Sequence, residues 1–136
     1  LGLPAMLIVA MQVMGMADLF GKAYIVVSPL IGVIGAFISG SATVSNTLFS
    51  TLQFAAAVRL GLPAMLIVAM QVMGGAMGNM VCVNNIVSAC ATCGTVGTEG
   101  RLIRSNIVPC LIYAVLTILI LGGMIMAGID PAAALQ

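Results

Sequence analysis

The sequence predicts an all-α membrane protein, a polytopic helical bundle in which two elements are broken helices or hairpins. Of its 136 residues 62% are hydrophobic and only 5% are charged, whereas a soluble domain carries about 25% charged residues. The few charges separate long uncharged runs, and two of these runs are too long for one membrane crossing. Each long run also contains a cluster of small and polar residues. We therefore expect a lipid bilayer as the chain's surroundings.

The elements follow from the four uncharged runs, which cover residues 1–17, 23–58, 60–98 and 105–129. About 20 helical residues cross a bilayer, so the first and last runs fit one crossing each. At ~1.5 Å per residue the two middle runs would exceed ~50 Å as single helices. We expect each of them to be broken once, which gives six hydrophobic segments.

The predicted breaks are the polar stretch 39–47 and the glycine-rich stretch 74–79, which is followed by Asn84-Asn85. Glycine and small hydroxylated residues interrupt a helix. The breaks are either turns at the outer surface or hairpin tips at membrane depth, where irregular backbone must be packed in protein or line a cavity. The spacing Gly74-xxx-Gly78 equally fits close packing of helices.

Positive charge predicts the topology of the chain. If each long run returns to its starting side, the four positive residues lie on one face, which the positive-inside rule makes cytoplasmic. They are Lys22, Arg59, Arg101 and Arg104.

Residues 1–15 recur letter for letter at residues 60–74. Structural repeats in transporters show only weak sequence similarity, so we interpret this identity as a recent local duplication or a misjoined sequence. The chain begins at Leu1, inside an apolar stretch. We expect residues 1–136 to form a single transmembrane domain that is a piece of a longer membrane protein.

The charges and the cysteines exclude or weaken several classes of function. A net charge of +1 without a basic cluster excludes nucleic-acid binding. The sequence has no histidine, the commonest general base and a frequent metal ligand. Cys90 and Cys93 form a C-x-x-C pair in an apolar segment, where cysteine serves as a small buried hydrophobe. We expect no metal, no cofactor and no enzymatic activity.

The polar residues of the two breaks are the best candidates for binding a substrate. A broken helix exposes N–H groups at the positive end of its dipole, which attract anions, and broken helices in two halves indicate the substrate site of secondary transporters. With no ionisable group in either break, a substrate carboxylate would be held by neutral donors. The candidates are Ser41, Thr43, Ser45, Asn46, Asn79, Asn84 and Asn85.

The sequence resembles the L-lactate permease family of bacterial transporters over residues 16–128. The likeness rests on the stretches 28–32, 35–46, 74–80, 84–87 and 94–100, which correspond to the C-terminal part of the family's longer chain. Relatives often carry Asn or Asp where Ala42 stands, and some carry Lys where Asn79 stands.

The resemblance implies a fragment of a multi-pass secondary transporter of the bacterial inner membrane. It would carry L-lactate or glycolate, with protons as the coupling ion. A proton relay needs a titratable group within the membrane, and Asp18 is the nearest, although we expect a loop position for it. Two alternatives remain open: a Na⁺-coupled carrier of dicarboxylates or other organic anions, and a non-transporting structural or redox membrane subunit.

Overall fold

The computed structural model describes residues 7, 8, 11 and 21–131, and this part of the chain is helical without strands. A 3-10 turn, Gly21–Ala23, precedes the first helix. The α-helices are α1 (Tyr24–Ser39), α2 (Ala42–Leu60), α3 (Ala64–Val81), α4 (Val83–Cys93), α5 (Glu99–Thr117) and α6 (Gly123–Met126). A π-helical turn, Ile118–Gly122, joins α5 to α6. The helical architecture confirms the predicted fold class.

Among the described residues, two helical stretches are long and apolar enough to cross a membrane. They are α3, with 18 residues, and the continuous helix from α5 to α6, with 28 residues, while α1 is a shorter apolar helix. Only 11% of the apolar window of the α5–α6 helix is buried inside the protein, against 44% for α3. The α3 helix is therefore the centre of the bundle, and α5–α6 covers one side of it.

The first long run breaks where the sequence predicts, between α1 and α2. Gly40 ends α1 with φ of +72°, a left-handed conformation that glycine adopts without a Cβ clash. Its N–H donates to the carbonyl oxygen of Ala36 at 2.8 Å. Ser41 then caps α2, because its Oγ accepts a hydrogen bond from the Val44 N–H at 3.3 Å.

The predicted break at 74–79 is wrong, because α3 runs without interruption to Val81. The extended residue Cys82, with φ of −64° and ψ of 126°, separates α3 from α4. The glycines remain helical because they are used for close packing: a Cβ on Gly74 or Gly78 would collide with the carbonyl oxygen of Pro29 or Val33 on α1. The spacing Gly74-xxx-Gly78 is thus a helix-packing motif.

Helices α1 and α3 are parallel neighbours, since the later glycine of α3 meets the later residue of α1. Helix α2 runs back beside them, with Asn46 opposite Gly75. Apolar side chains at the end of the bundle where α2 leads into α3 form the core. Its buried members are Tyr24, Ile25, Ala56, Ala57, Leu66, Ile67, Met70 and Ile125.

Helix α5 runs antiparallel to α3, and this orientation corrects the predicted topology. Its contacts with α3 pair Asn106 with Met80, Cys110 with Met77 and Tyr113 with Met73. The far end of this helix reaches the α2–α3 connection, where Ile125 and Val58 line one cavity.

Arg101 and Arg104, on the first turns of α5, therefore lie at the opposite end of the bundle from Arg59. The prediction of a single positive face is wrong. After Cys82 the chain does not return along α3: helix α4 packs more extensively on α5 than on α3.

The two identical stretches occupy different environments. Leu66, Ile67 and Met70 are 5%, 0% and 0% exposed in α3. Their counterparts at positions 7, 8 and 11 are 58%, 56% and 73% exposed, and the rest of the first copy lies outside the described residues. Identical residues therefore do not mark equivalent positions in this fold.

Candidate functional site

The two helix breaks meet at one end of the α1–α2–α3 unit. The Nδ2 of Asn85, in the first turn of α4, donates a hydrogen bond to the carbonyl oxygen of Gly40 at 3.1 Å. A Cβ placed on Gly40 would lie 3.5 Å from Cys82 Sγ and 3.8 Å from the Cβ of Asn84. The breaks meet because α1 and α3 are parallel and end at the same level.

Asn79 and Asn85 form an amide pair beside this junction. Asn85 Nδ2 donates to Asn79 Oδ1 at 2.7 Å and lies 3.4 Å from the Asn79 carbonyl oxygen. Both side chains are half-buried. Asn85 thus ties the last turn of α3 to the end of α1, and the pair presents neutral donors and acceptors at the junction.

Three other predicted residues lie around the junction with different degrees of exposure. Ser41 is half-buried and its hydroxyl caps α2, whereas Thr43 and Asn84 are exposed. Within the described part of the chain, no hydrogen-bond partner is recorded for the side chains of Thr43 and Asn84. Both are open to a ligand or to the surroundings.

Ser45 is placed differently from the other predicted site residues, because it is fully buried between helices. Its hydroxyl donates to the Gly32 carbonyl oxygen at 3.0 Å and accepts from Gln71 Nε2 at 3.2 Å. Both bonds join α2 to its neighbours. In this conformation the Ser45 hydroxyl is committed to helix packing.

Sequence reasoning missed a buried polar chain that continues from Ser45 through the bundle. Gln53 Nε2 donates to Gln71 Oε1 at 3.1 Å and to the Ser28 carbonyl oxygen at 3.2 Å. The Tyr24 hydroxyl donates to Gln53 Oε1 at 2.6 Å. These side chains are completely buried. The available signal was a glutamine inside each of the two long apolar runs.

Asn46 has a buried acceptor that is not used. Its Oδ1 has no hydrogen-bond partner among the described residues and less than 1 Å² of accessible surface. A Cβ placed on Gly75 would lie 3.1 Å from this oxygen, so the missing side chain at Gly75 makes room for it. Asn79 follows Gly75 by one helical turn, so Asn46 Oδ1 faces the turn of α3 that precedes the amide pair.

The cysteines do not form a recognisable metal centre. Within residues 21–131 and the three isolated described positions, no group of three or more His, Cys, Asp or Glu is arranged to hold a metal ion. Cys82 and Cys90 are buried, Cys93 is exposed and all four cysteines are free. Burial of Cys90 agrees with its interpretation as a small hydrophobic residue.

The chain matches the L-lactate permease family over residues 4–127. It belongs to this family. The L-lactate permease of Escherichia coli strain K12 is 41% identical over 93 residues, which are 68% of this chain and 17% of the relative. The L-lactate permease of Bacillus subtilis is 37% identical over 102 residues, 75% of this chain and 18% of the relative. These matches confirm the predicted resemblance.

The matches extend to a permease with another named substrate. The glycolate permease of Escherichia coli is 40% identical over 87 residues, 64% of this chain and 16% of the relative. The chain spans less than one fifth of the length of these curated relatives. No solved structure matches it.

Proposed function

We propose that this chain forms part of the substrate pathway of a transporter that carries L-lactate or glycolate, with protons, across the bacterial inner membrane. Membership of the L-lactate permease family and the lactate and glycolate permeases among the relatives support it. The observation that carries the proposal is the hydrogen bond from Asn85 to Gly40, which joins two broken helices at one place. In secondary transporters, substrate sites are typically formed where discontinuous helices meet.

In this proposal the junction holds the substrate carboxylate with neutral groups. The first turn of α2 directs its N–H groups and the positive end of the helix dipole toward an anion at the junction. Because both N–H groups of Asn85 are used within the junction, the further donors are Asn79 Nδ2 and, at the border of the pair, Ser41 and Asn84. Neutral donors release an anion more readily than an arginine would, because a charge-assisted hydrogen bond is about twice as strong.

The proposed coupling to protons requires a titratable group outside the helices α1–α4. The sequence has no acidic residue between Asp18 and Glu99 and no histidine. We place the coupled proton on a carboxylate elsewhere in the transporter. Asp18, which the sequence made the nearest candidate, lies outside the described residues.

Uptake of labelled L-lactate by cells that produce the complete transporter tests the site. Asn85→Ala removes the link between the breaks, and we expect uptake at subsaturating lactate to fall about tenfold or more, since two hydrogen bonds of ~1 kcal/mol are lost. Thr51→Ala, on an exposed position of α2, is the matched control. Normal uptake by Asn85→Ala, at equal amounts of transporter in the membrane, would contradict the proposed site.

Proteoliposomes that contain the purified transporter test the coupling ion. We expect an inward proton gradient in sodium-free buffer to drive accumulation of L-lactate. A sodium gradient at equal pH on both sides is expected to drive none. Accumulation driven by sodium alone would instead support the Na⁺-coupled carrier.

A further inference from the structure

The unused acceptor of Asn46 is the most specific chemical feature near the junction. Two neighbouring side chains that are buried or half-buried have partners: Ser45 bonds to Gly32 and Gln71, and Asn85 bonds to Gly40 and Asn79. Asn46 Oδ1 has none and is closed off from solvent. Buried polar atoms in native proteins nearly always have a partner, so this oxygen calls for a donor that the described helices do not supply.

We propose that Asn46 selects 2-hydroxy acids over plain monocarboxylates, because its Oδ1 accepts a hydrogen bond from the substrate's 2-hydroxyl group. This inference rests on the proposed function. A carboxylate has no proton to donate and its lone pairs repel those of an amide oxygen. A hydroxyl group can donate, so Oδ1 distinguishes the two ends of a hydroxy acid.

The spacing of the residues suits a small hydroxy acid. Asn46 Oδ1 lies against Gly75. On α3, Asn79 is four residues beyond Gly75, which is about 6 Å along the helix axis. The hydroxyl then binds at Asn46 while the carboxylate, on the adjacent carbon, lies at the amide pair and the first turn of α2.

The orientation explains why the acceptor is unpaired without substrate. A permanent protein donor at Oδ1 would compete with the hydroxyl group of the substrate. An analogue that lacks the hydroxyl would leave Oδ1 buried and unpaired in the complex. A site built to bond a hydroxyl rejects such an analogue far more strongly than an apolar pocket rejects a missing methylene.

Two matched pairs of acids test the inference in the complete transporter. L-lactate and propanoate differ by the 2-hydroxyl, and glycolate and acetate differ in the same way. We measure the inhibition constant of each acid against uptake of labelled L-lactate by the wild type, Asn46→Ala, Asn46→Ser and Thr51→Ala. The ratio of inhibition constants within each pair reports the contribution of the hydroxyl.

We expect Asn46→Ala to reduce both ratios by about tenfold to a hundredfold, the range of one hydrogen bond to a buried group. Asn46→Ser, which keeps a shorter acceptor, should retain part of the discrimination, and Thr51→Ala all of it. Unchanged ratios in Asn46→Ala with measurable lactate uptake would overturn the role of Asn46 and leave the proposed function intact. Absence of lactate uptake by the wild type would instead overturn the proposed function.

Folding of the variants gives an independent check. Removing an unpaired buried carbonyl should not destabilise the protein, so both Asn46 variants should reach the membrane at wild-type amounts. If neither variant yields folded transporter, Oδ1 has a structural partner and the inference is wrong.

Discussion

The contact between Gly32 on α1 and the glycines of α3 makes the strongest prediction about stability. A Cβ placed on Gly32 would lie 2.8 Å from the backbone nitrogen of Gly75 and 3.0 Å from the carbonyl carbon of Gly74, and would collide with the Gln71 carbonyl oxygen. All these atoms belong to the backbone and cannot rotate away. Gly32→Ala therefore forces α1 and α3 apart.

The magnitude follows from three contributions. Overpacking costs about 1–3 kcal/mol, and separation of the helices strains the bond from Ser45 Oγ to the Gly32 carbonyl oxygen, worth about 1 kcal/mol. Alanine regains about 1 kcal/mol because it favours a helix more than glycine does. We expect Gly32→Ala to lower the free energy of unfolding by about 1–3 kcal/mol.

Gly123→Ala is the matched control, because Gly123 is also helical, with φ of −61° and ψ of −42°. A Cβ on it meets no atom within 4 Å. This variant should be neutral or stabilising by up to about 1 kcal/mol. Because the complete transporter is several times longer than this chain, thermal unfolding of the purified protein in detergent should give Gly32→Ala a Tm roughly 1–4 °C below that of Gly123→Ala. Equal Tm values for the two variants would refute the close approach of α1 and α3.

Three further predictions concern the polar chain, the cysteines and the helix cap. Gln53→Leu should lower the Tm more than Gln71→Leu. Only Gln53→Leu leaves two buried groups without a hydrogen-bond partner, the Tyr24 hydroxyl and Gln71 Oε1, at about 1–3 kcal/mol each. The reverse order of Tm values would be inconsistent with these hydrogen bonds. A polar maleimide should label Cys93 at least about tenfold faster than the buried Cys90, as measured by mass spectrometry, and equal rates would favour a reactive redox pair. Ser41→Ala should cost about 0.5–2 kcal/mol through loss of the α2 cap, an effect that thermal unfolding measures and that Ser41→Asn should largely restore.

The sequence was sufficient to predict the fold class and the first break. The near absence of charged residues predicts that the helices lie in a lipid bilayer. At the first break, Gly40 ends one helix and Ser41 caps the next. Family membership was also predictable, since the motifs at 35–46 and 74–80 are long and ordered.

The second break and the topology could not be derived from composition. The glycine pattern Gly74-xxx-Gly78 is the same whether a helix ends there or packs closely on another helix. Only the contact with α1 distinguishes the two cases. The orientation of α5 depends on tertiary contacts such as Asn106 with Met80. The positive-inside rule had only four charges to use.

The site was only partly predictable, for the same reason. Asn79, Asn85 and Ser41 are brought to one junction, but Ser45 is turned into the packing of α2 against α1. The buried Gln53 and Gln71 were overlooked because an amide in an apolar run has no meaning until its partner on another helix is known.

Disulfide formation between the two breaks tests the central claim most directly. In Gly40→Cys the new Cβ would lie 3.5 Å from Cys82 Sγ, whereas Gly61→Cys, at another left-handed glycine with φ of +66°, meets no atom within 4 Å. Under a mild oxidant the Gly40→Cys transporter should form an internal disulfide to Cys82, the Gly61→Cys transporter should not, and L-lactate should slow the reaction. Equal rates in the two variants would contradict the joining of the two breaks.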